Sequence, residues 1–265
     1  MAEELTGGSL EGPNKGPLAQ LFQQLETGES RYKDLIAEQK KFFGGAQESF
    51  AEDLAMRFGR IGRDEAEHSY FRDRLRGNIL VDLGGGRLCR MLSVAGMYDS
   101  SAYINVDSYI AGGFGDLPYD PTKNQYKAFY EHRSGLPGWV QPQHFPHTEP
   151  AIVNADMLDF VSRLPDNSVN FTMNGIDYDI LGEGALNIKY QWFLAGEIIR
   201  TLRPGGIIFG VNFSPIVDQF TGCKEPLTAE SQRSGLREHR VPGEGYTSLG
   251  ARWNSLLVYE KQAQG

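Results

Sequence analysis

The sequence predicts an α/β protein built on a doubly wound, mostly parallel sheet. Three observations predict it. The stretch Ile79-Leu80-Val81-Asp82-Leu83-Gly84-Gly85-Gly86 is an apolar run bounded by glycines, the mark of a buried strand that ends in a tight turn. The apolar face resumes at helical spacing in Leu88, Met91, Leu92 and Ala95, so a helix follows the turn. Downstream, short β-rich runs alternate with helical stretches as far as residue 261. In such sheets ligands sit beyond the carboxyl ends of the strands. Glycines, lacking a Cβ, let a ligand lie against bare backbone.

The amino-terminal part is helical. Residues 1–16 are rich in Gly, Glu, Pro and Asn without periodicity and read as a flexible tail. Residues 17–77 read as a helical cap that packs on the main domain. Leu18, Leu21, Phe22 and Leu25 form one stripe. A second helix is expected from Ser30 to Phe43, with Tyr32, Leu35 and Ile36 inward and Gly44-Gly45 as its stop. A third holds Phe50, Leu54, Met56 and Phe58. A fourth starts near Asp64 and carries Ala66, Tyr70, Phe71 and Leu75.

The main domain spans 78–265. After the glycine turn and its helix, Ala102-Tyr103-Ile104-Asn105-Val106-Asp107 reads as a second strand ending in a carboxylate. Its distance from the turn is near the ~20 residues expected before a ribose-binding acid. Residues 108–150 break the rhythm with many Gly, Pro and aromatic residues. They read as an insertion over the strand ends, helical only at about 122–133, and either a small aromatic core or a substrate cover. Its His132, His144 and His147 read as solvated or structural. Ala151 to Asp156 is a third strand, followed by a helix through Leu158, Phe160, Val161 and Leu164. Val169 to Asn174 is a fourth strand after the turn Pro165-Asp166-Asn167-Ser168. Ala185 to Leu202 is a long helix with Ile188, Trp192, Leu194, Ala195 and Ile198 inward. Arg203-Pro204-Gly205-Gly206 leads into a fifth strand, 207–213. A further helix is placed at about 226–238. The final run Ser255 to Glu260 is a strand paired with one near 239–249.

Composition bounds the function. The 265 residues suffice for one large α/β domain with an appendage. A net charge of −8, from 26 basic and 34 acidic residues, argues against broad binding to a phosphate backbone, while leaving room for a local basic patch. No apolar run approaches the ~20 residues of a membrane span. The acidic start, Met-Ala-Glu-Glu-Leu, is unlike a signal peptide. Cys89 and Cys223 form no Cys-x-x-Cys pair, so neither a disulfide framework nor a metal site is expected, and a cytoplasmic location is the default.

The ordered set VDLGGG, INVD, NADMLDFVSRLPDNSVNFTMN and EIIRTLRPGG, closed by SLLVYEK, resembles the class I S-adenosylmethionine-dependent methyltransferases over residues 78–261. The resemblance implies a Rossmann-like seven-stranded sheet of order 3-2-1-4-5-7-6. It implies S-adenosyl-L-methionine as cofactor, S-adenosyl-L-homocysteine as product, and methyl transfer to O, N or C of an acceptor. Gly84, Gly85 and Gly86 would pass beside the methionine and sugar. Asp82 would help hold the ammonium, Asp107 the ribose hydroxyls, and Asp156 the adenine amine, with Met157 against the ring. Asn174 would offer its backbone carbonyl near the methionine end. Asp177 and Tyr178 (with Asp179) follow strand four, near where the methyl group would point, and are the candidates to position or deprotonate an acceptor.

Other readings stand beside these. Asp156 also suits the cap of a helix starting at Met157. Cys89 reads as an inert core residue. It occupies the position where the dinucleotide pattern G-x-G-x-x-G wants its third glycine. Asn174-Gly175-Ile176-Asp177 departs from the Asp/Asn-Pro-Pro-aromatic tetrad of base-directed amino methyltransferases. With the acidic charge, that points to a small-molecule acceptor and no nucleic-acid partner. A methyltransferase-fold binding or scaffold protein without turnover is the first alternative, and a nicotinamide-dependent oxidoreductase the second.

Overall fold

The computed structural model describes residues 16–27, 31–39, 65–85, 89, 91–107, 126–128, 145–153, 155–173, 185–210, 235–246 and 252–263. Its centre is an eight-stranded sheet. The strands are β1 (Ile79–Leu83), β2 (Ala102–Val106), β3 (Tyr126–Ala128), β4 (Glu149–Val153), β5 (Asn170–Met173), β6 (Ile207–Phe209), β7 (Leu236–Tyr246) and β8 (Arg252–Lys261). They lie in the order β3-β4-β2-β1-β5-β6-β8-β7. The run from β4 to β6 is parallel, whereas β3 pairs antiparallel with β4, and β8 pairs antiparallel with both β6 and β7. With the short edge strand β3 set aside, the order is the expected 3-2-1-4-5-7-6. This is the Rossmann-like fold of the class I methyltransferases.

The pleat sends successive side chains to opposite faces, and each face has its own apolar core. Val81, Leu83, Ile104 and Val106 enter one, and Leu80, Tyr103 and Ile152 enter the other. The first core is covered by α1 (Pro17–Thr27), α2 (Lys33–Gln39), α5 (Met157–Arg163) and α6 (Ala185–Thr201). The second is covered by α3 (Glu65–Leu75) and α4 (Leu92–Met97). The predicted stripe Leu18, Leu21, Phe22 and Leu25 is buried, as are Leu35, Ile36, Phe71 and Leu75. Glycine at position 96 lets α4 lie against the ring of Phe145, where a Cβ would collide.

The amino end of the sheet is held by ion pairs and helix caps. The Arg74 guanidinium bonds both carboxylate oxygens of Glu260 at 3.0 and 2.9 Å and lies 3.6 Å from the centre of the Tyr70 ring. The Lys261 ammonium donates to the carbonyls of Ile199, Arg200 and Leu202 at the end of α6. Arg200 does the same for α5 through the carbonyls of Val161, Ser162 and Leu164. A cation at a helix carboxyl terminus satisfies carbonyls that have no partner within the helix. This leaves the opposite end, the carboxyl tips, for a ligand.

Several expectations are corrected. Residues 126–128 form a strand, not part of a helix, because they pair with Ala151, Ile152 and Val153 on the outer edge of β4. Residues 236–238 likewise belong to a strand, since Leu236, Arg237 and Glu238 pair with Lys261, Glu260 and Tyr259. The third parallel strand starts earlier, at Glu149, and stops at Val153, so Asp156 stands outside it. The second helix is confined to Lys33–Gln39 among the described residues. Trp192 is 46% exposed and not inward. At ~100° per residue it lies roughly 200° around the helix from Leu194. The buried stripe of α6 is instead Tyr190, Gln191, Leu194, Ala195 and Ile198. The helix expected around Phe50–Phe58 and the strand residues 211–213 lie outside the described residues.

Candidate functional site

Registers place four strand ends side by side. Leu83 pairs with Val106 and with Met173, and Val106 pairs with Val153. The glycine turn therefore sits in the middle of a row of carboxyl tips, the place where an open α/β sheet binds ligands.

Asp82 lies one residue before the tip of β1 and has no solvent exposure. Across the ladder its register partner is Asn105, and Tyr103 shares the same face two residues earlier on β2. The Tyr103 hydroxyl donates to Oδ2 of Asp82 at 2.7 Å. Oδ1 of the same carboxylate is buried and, among the described residues, accepts no hydrogen bond. Burial pushes the Asp82 carboxyl up to about 7. The Tyr103 hydrogen bond works against that rise, and the nearby Asp107 charge adds to it. The Asp107 effect also shows that the two acids share one electrostatic neighbourhood.

The turn is shaped around this carboxylate. Gly84 takes a φ of +70°, a region that favours glycine, and its N–H donates to Val106 O at 2.8 Å. A Cβ on Gly85 would fall 2.7 Å from both Asp82 Cγ and Asn105 Oδ1, and nearer still to Asp82 Oδ2. Only glycine fits there without displacing the acid. Cys89 is buried, with a φ of +49°, and its Sγ accepts from Asn105 Nδ2 at 2.8 Å. The backbone at this third-glycine position is thus left-handed even though the residue carries a side chain.

Asp107 follows the last residue of β2. It is partly exposed, and its N–H donates to Val153 O at 3.1 Å. Asp156 is the N-cap of α5. Its Oδ1 accepts from the N–H groups of Leu158 at 2.9 Å and Asp159 at 3.2 Å, and from the Tyr190 hydroxyl at 3.0 Å. Met157, beside it, is 8% exposed. Three acids therefore stand at or near the tips of β1, β2 and β4, on adjacent strands. Gly86, Asn174, Asp177 and Tyr178 lie outside the described residues, as do His132 and His144; His147 is exposed.

Tyr103 and Tyr190 hold two of these acids, and sequence reading missed both. Tyr103 reads as one more bulky strand residue. A signal was present, because a carboxylate within a buried strand requires a donor on the same face of a neighbouring strand.

No protein-family model matches the chain, and no curated protein matches it in sequence. Among solved structures it is similar to a precorrin-6y C5,15-methyltransferase from Geobacter metallireducens, at 10% identity over 75% of this chain and 86% of that one, with a TM-score of 0.39. It is similar to an rRNA methylase from Streptococcus thermophilus, at 13% identity over 75% and 96%, with a TM-score of 0.41. It is also similar to an N-methyltransferase from Bradyrhizobium japonicum, at 9% identity over 75% and 96%, with a TM-score of 0.43. At such identities the likeness concerns chain shape alone, and the fold stands on the strand order and registers above. One expectation is corrected here. With an rRNA methylase among these structures, the exclusion of nucleic acid and the restriction to a small-molecule acceptor do not stand. The physical reason is that net charge sums over the whole chain, whereas an acceptor meets only a local surface. No described helix is long and apolar enough to cross a membrane.

Proposed function

We propose that this chain is an S-adenosylmethionine-dependent methyltransferase. The observation that carries the reading is the buried Oδ1 of Asp82, which has no donor among the described residues, beside a turn in which a Cβ on Gly85 would strike that carboxylate. A buried carboxylate oxygen without a donor is unfavourable unless a ligand completes it. An ammonium-bearing nucleoside fits that need.

In this reading Asp82 receives the ammonium, and Gly84, Gly85 and Gly86 give backbone room beside it. Asp107 accepts from the ribose hydroxyls, a task suited to a partly exposed acid with lone pairs to spare. Asp156 accepts from the adenine amine, with Met157 against the ring. When bound, the sulfonium supplies an activated methyl group. The part of this chain is to fix the nucleoside against the strand tips, so that alignment supplies much of the rate. Asn174, Asp177 and Tyr178 keep their roles on the methyl-donating side in the same reading.

Calorimetric titration with S-adenosylmethionine, S-adenosylhomocysteine and NAD tests it. Both sulfur nucleosides should bind and NAD should not. Absence of binding by either sulfur nucleoside overturns the assignment. Transfer of a labelled methyl group, assayed against RNA and small metabolites together, then reads the acceptor class.

A further inference from the structure

We propose that Tyr103 is a positioning residue for the cofactor: its hydroxyl anchors Oδ2 of Asp82, so that the other oxygen is held as the acceptor for the cofactor's ammonium. The inference rests on the methyltransferase reading above and adds to it a residue outside the glycine turn.

The geometry carries the assignment. Tyr103 is buried on β2, one strand from the turn, and points its hydroxyl at Oδ2 from 2.7 Å. Asp82 has no exposure, so water does not compete for that contact. The carboxylate is wedged over Gly85, where no Cβ is tolerated, so it has little freedom to rotate. One oxygen is thereby committed, and the other has no donor among the described residues. A hydrogen bond to a carboxylate also favours its charged form. The phenol thus fixes the direction of the acid and helps keep it ionised, and both serve an ammonium.

Among the described residues, the titratable groups acting on Asp82 are Tyr103 on β2 and Asp107 just after it. The thiol of Cys89 is linked through Asn105. Thr172, the register partner on β5, carries no charge. Asp107 opposes ionisation of Asp82 and Tyr103 favours it. Removing the hydroxyl therefore tips the balance toward the protonated acid, which offers an ammonium no counter-charge.

The test is calorimetric titration of the full chain between pH 5.5 and 8.5 with two probes. One is S-adenosylhomocysteine. The other is 5′-methylthioadenosine, which keeps the nucleoside and lacks the amino acid. Wild-type affinity for S-adenosylhomocysteine should rise with pH as Asp82 ionises, while methylthioadenosine stays flat. Tyr103→Phe should weaken S-adenosylhomocysteine about tenfold near pH 7 and move the rise up by about one pH unit, with methylthioadenosine unchanged. Asp82→Asn, which keeps the shape of the side chain, should lose the pH dependence and the preference for the ammonium-bearing probe.

Wild-type protein that binds neither probe overturns the cofactor reading and this inference with it. Wild-type protein that binds, with Tyr103→Phe weakening both probes equally or leaving the pH profile in place, overturns the role of Tyr103 alone. If Tyr103→Phe does not fold, Asp82→Asn decides: a retained pH-dependent rise rejects the proposal.

Discussion

Tyr103 and Asp82 meet across the β1–β2 ladder, the phenol oxygen 2.7 Å from a carboxylate with no solvent exposure. The acid is held up at about 7, against an ordinary value of 3.8. Its folded pKa is raised, so the native state binds the extra proton. The contribution of this group to stability therefore falls as pH rises from about 4 to about 7, and the full penalty stands above that.

Asp82→Asn should accordingly melt higher than wild type at pH 8, by about 1–3 kcal/mol or a few degrees. The gap should close toward pH 5, where the wild-type acid is protonated. Thermal melts of ligand-free protein across this range check it, and a gap that is constant with pH would falsify the buried ionisation. The same variant should bind S-adenosylhomocysteine more weakly, so stability and function pull apart at one atom.

Gly85→Ala should destabilise by about 1–3 kcal/mol, because the new Cβ must displace Asp82 or Asn105. Loss of nucleoside binding should accompany it. Melting and calorimetry measured on the same sample check both halves, and a stable variant with full affinity contradicts the packing described here.

Asp107→Ala should stay folded, since the side chain is partly exposed. If Asp107 holds the ribose as proposed, the variant should lose roughly 10- to 100-fold in nucleoside affinity. Removing this like charge should also lower the Asp82 pKa, narrowing the pH-dependent part of its melting curve. Unchanged affinity removes the ribose assignment.

Asp156 caps α5, and in the proposed reading it also accepts from the adenine amine; one substitution separates the two. Asp156→Ala loses the cap of α5 and should cost about 1 kcal/mol. Asp156→Ser retains a capping oxygen and should recover most of that stability, yet remain weak for the nucleoside. A serine variant that binds as well as wild type assigns this acid to the helix cap alone.

The centre of the sheet was legible because β1, β2 and β5 are short and buried, and because glycines punctuate the chain around them. Val81, Leu83, Ile104 and Val106 have no other place to go than a core. What the sequence hid was phase and partnership. Trp192 reads as core by chemistry, and only its angle on α6 puts it outside. Tyr126–Ala128 is too short to show alternation, and its strand conformation comes entirely from the edge it pairs with. Tyr190 reads as filler on a helix until the cap of α5 is brought beside it. Long-range hydrogen bonds of this kind leave no local pattern.

The two outer margins of the sheet are finished differently. On one, β3 lies along Ala151, Ile152 and Val153, so three residues drawn from a long excursion occupy amides and carbonyls that would otherwise recruit a foreign extended chain. On the other, Pro242 withholds an N–H and the pairing slips between Pro242 and Gly245, a contour that a second molecule cannot extend in register. Deleting Tyr126–Ala128 would therefore bare the rim of β4 and leave it open to stacking by a second extended chain.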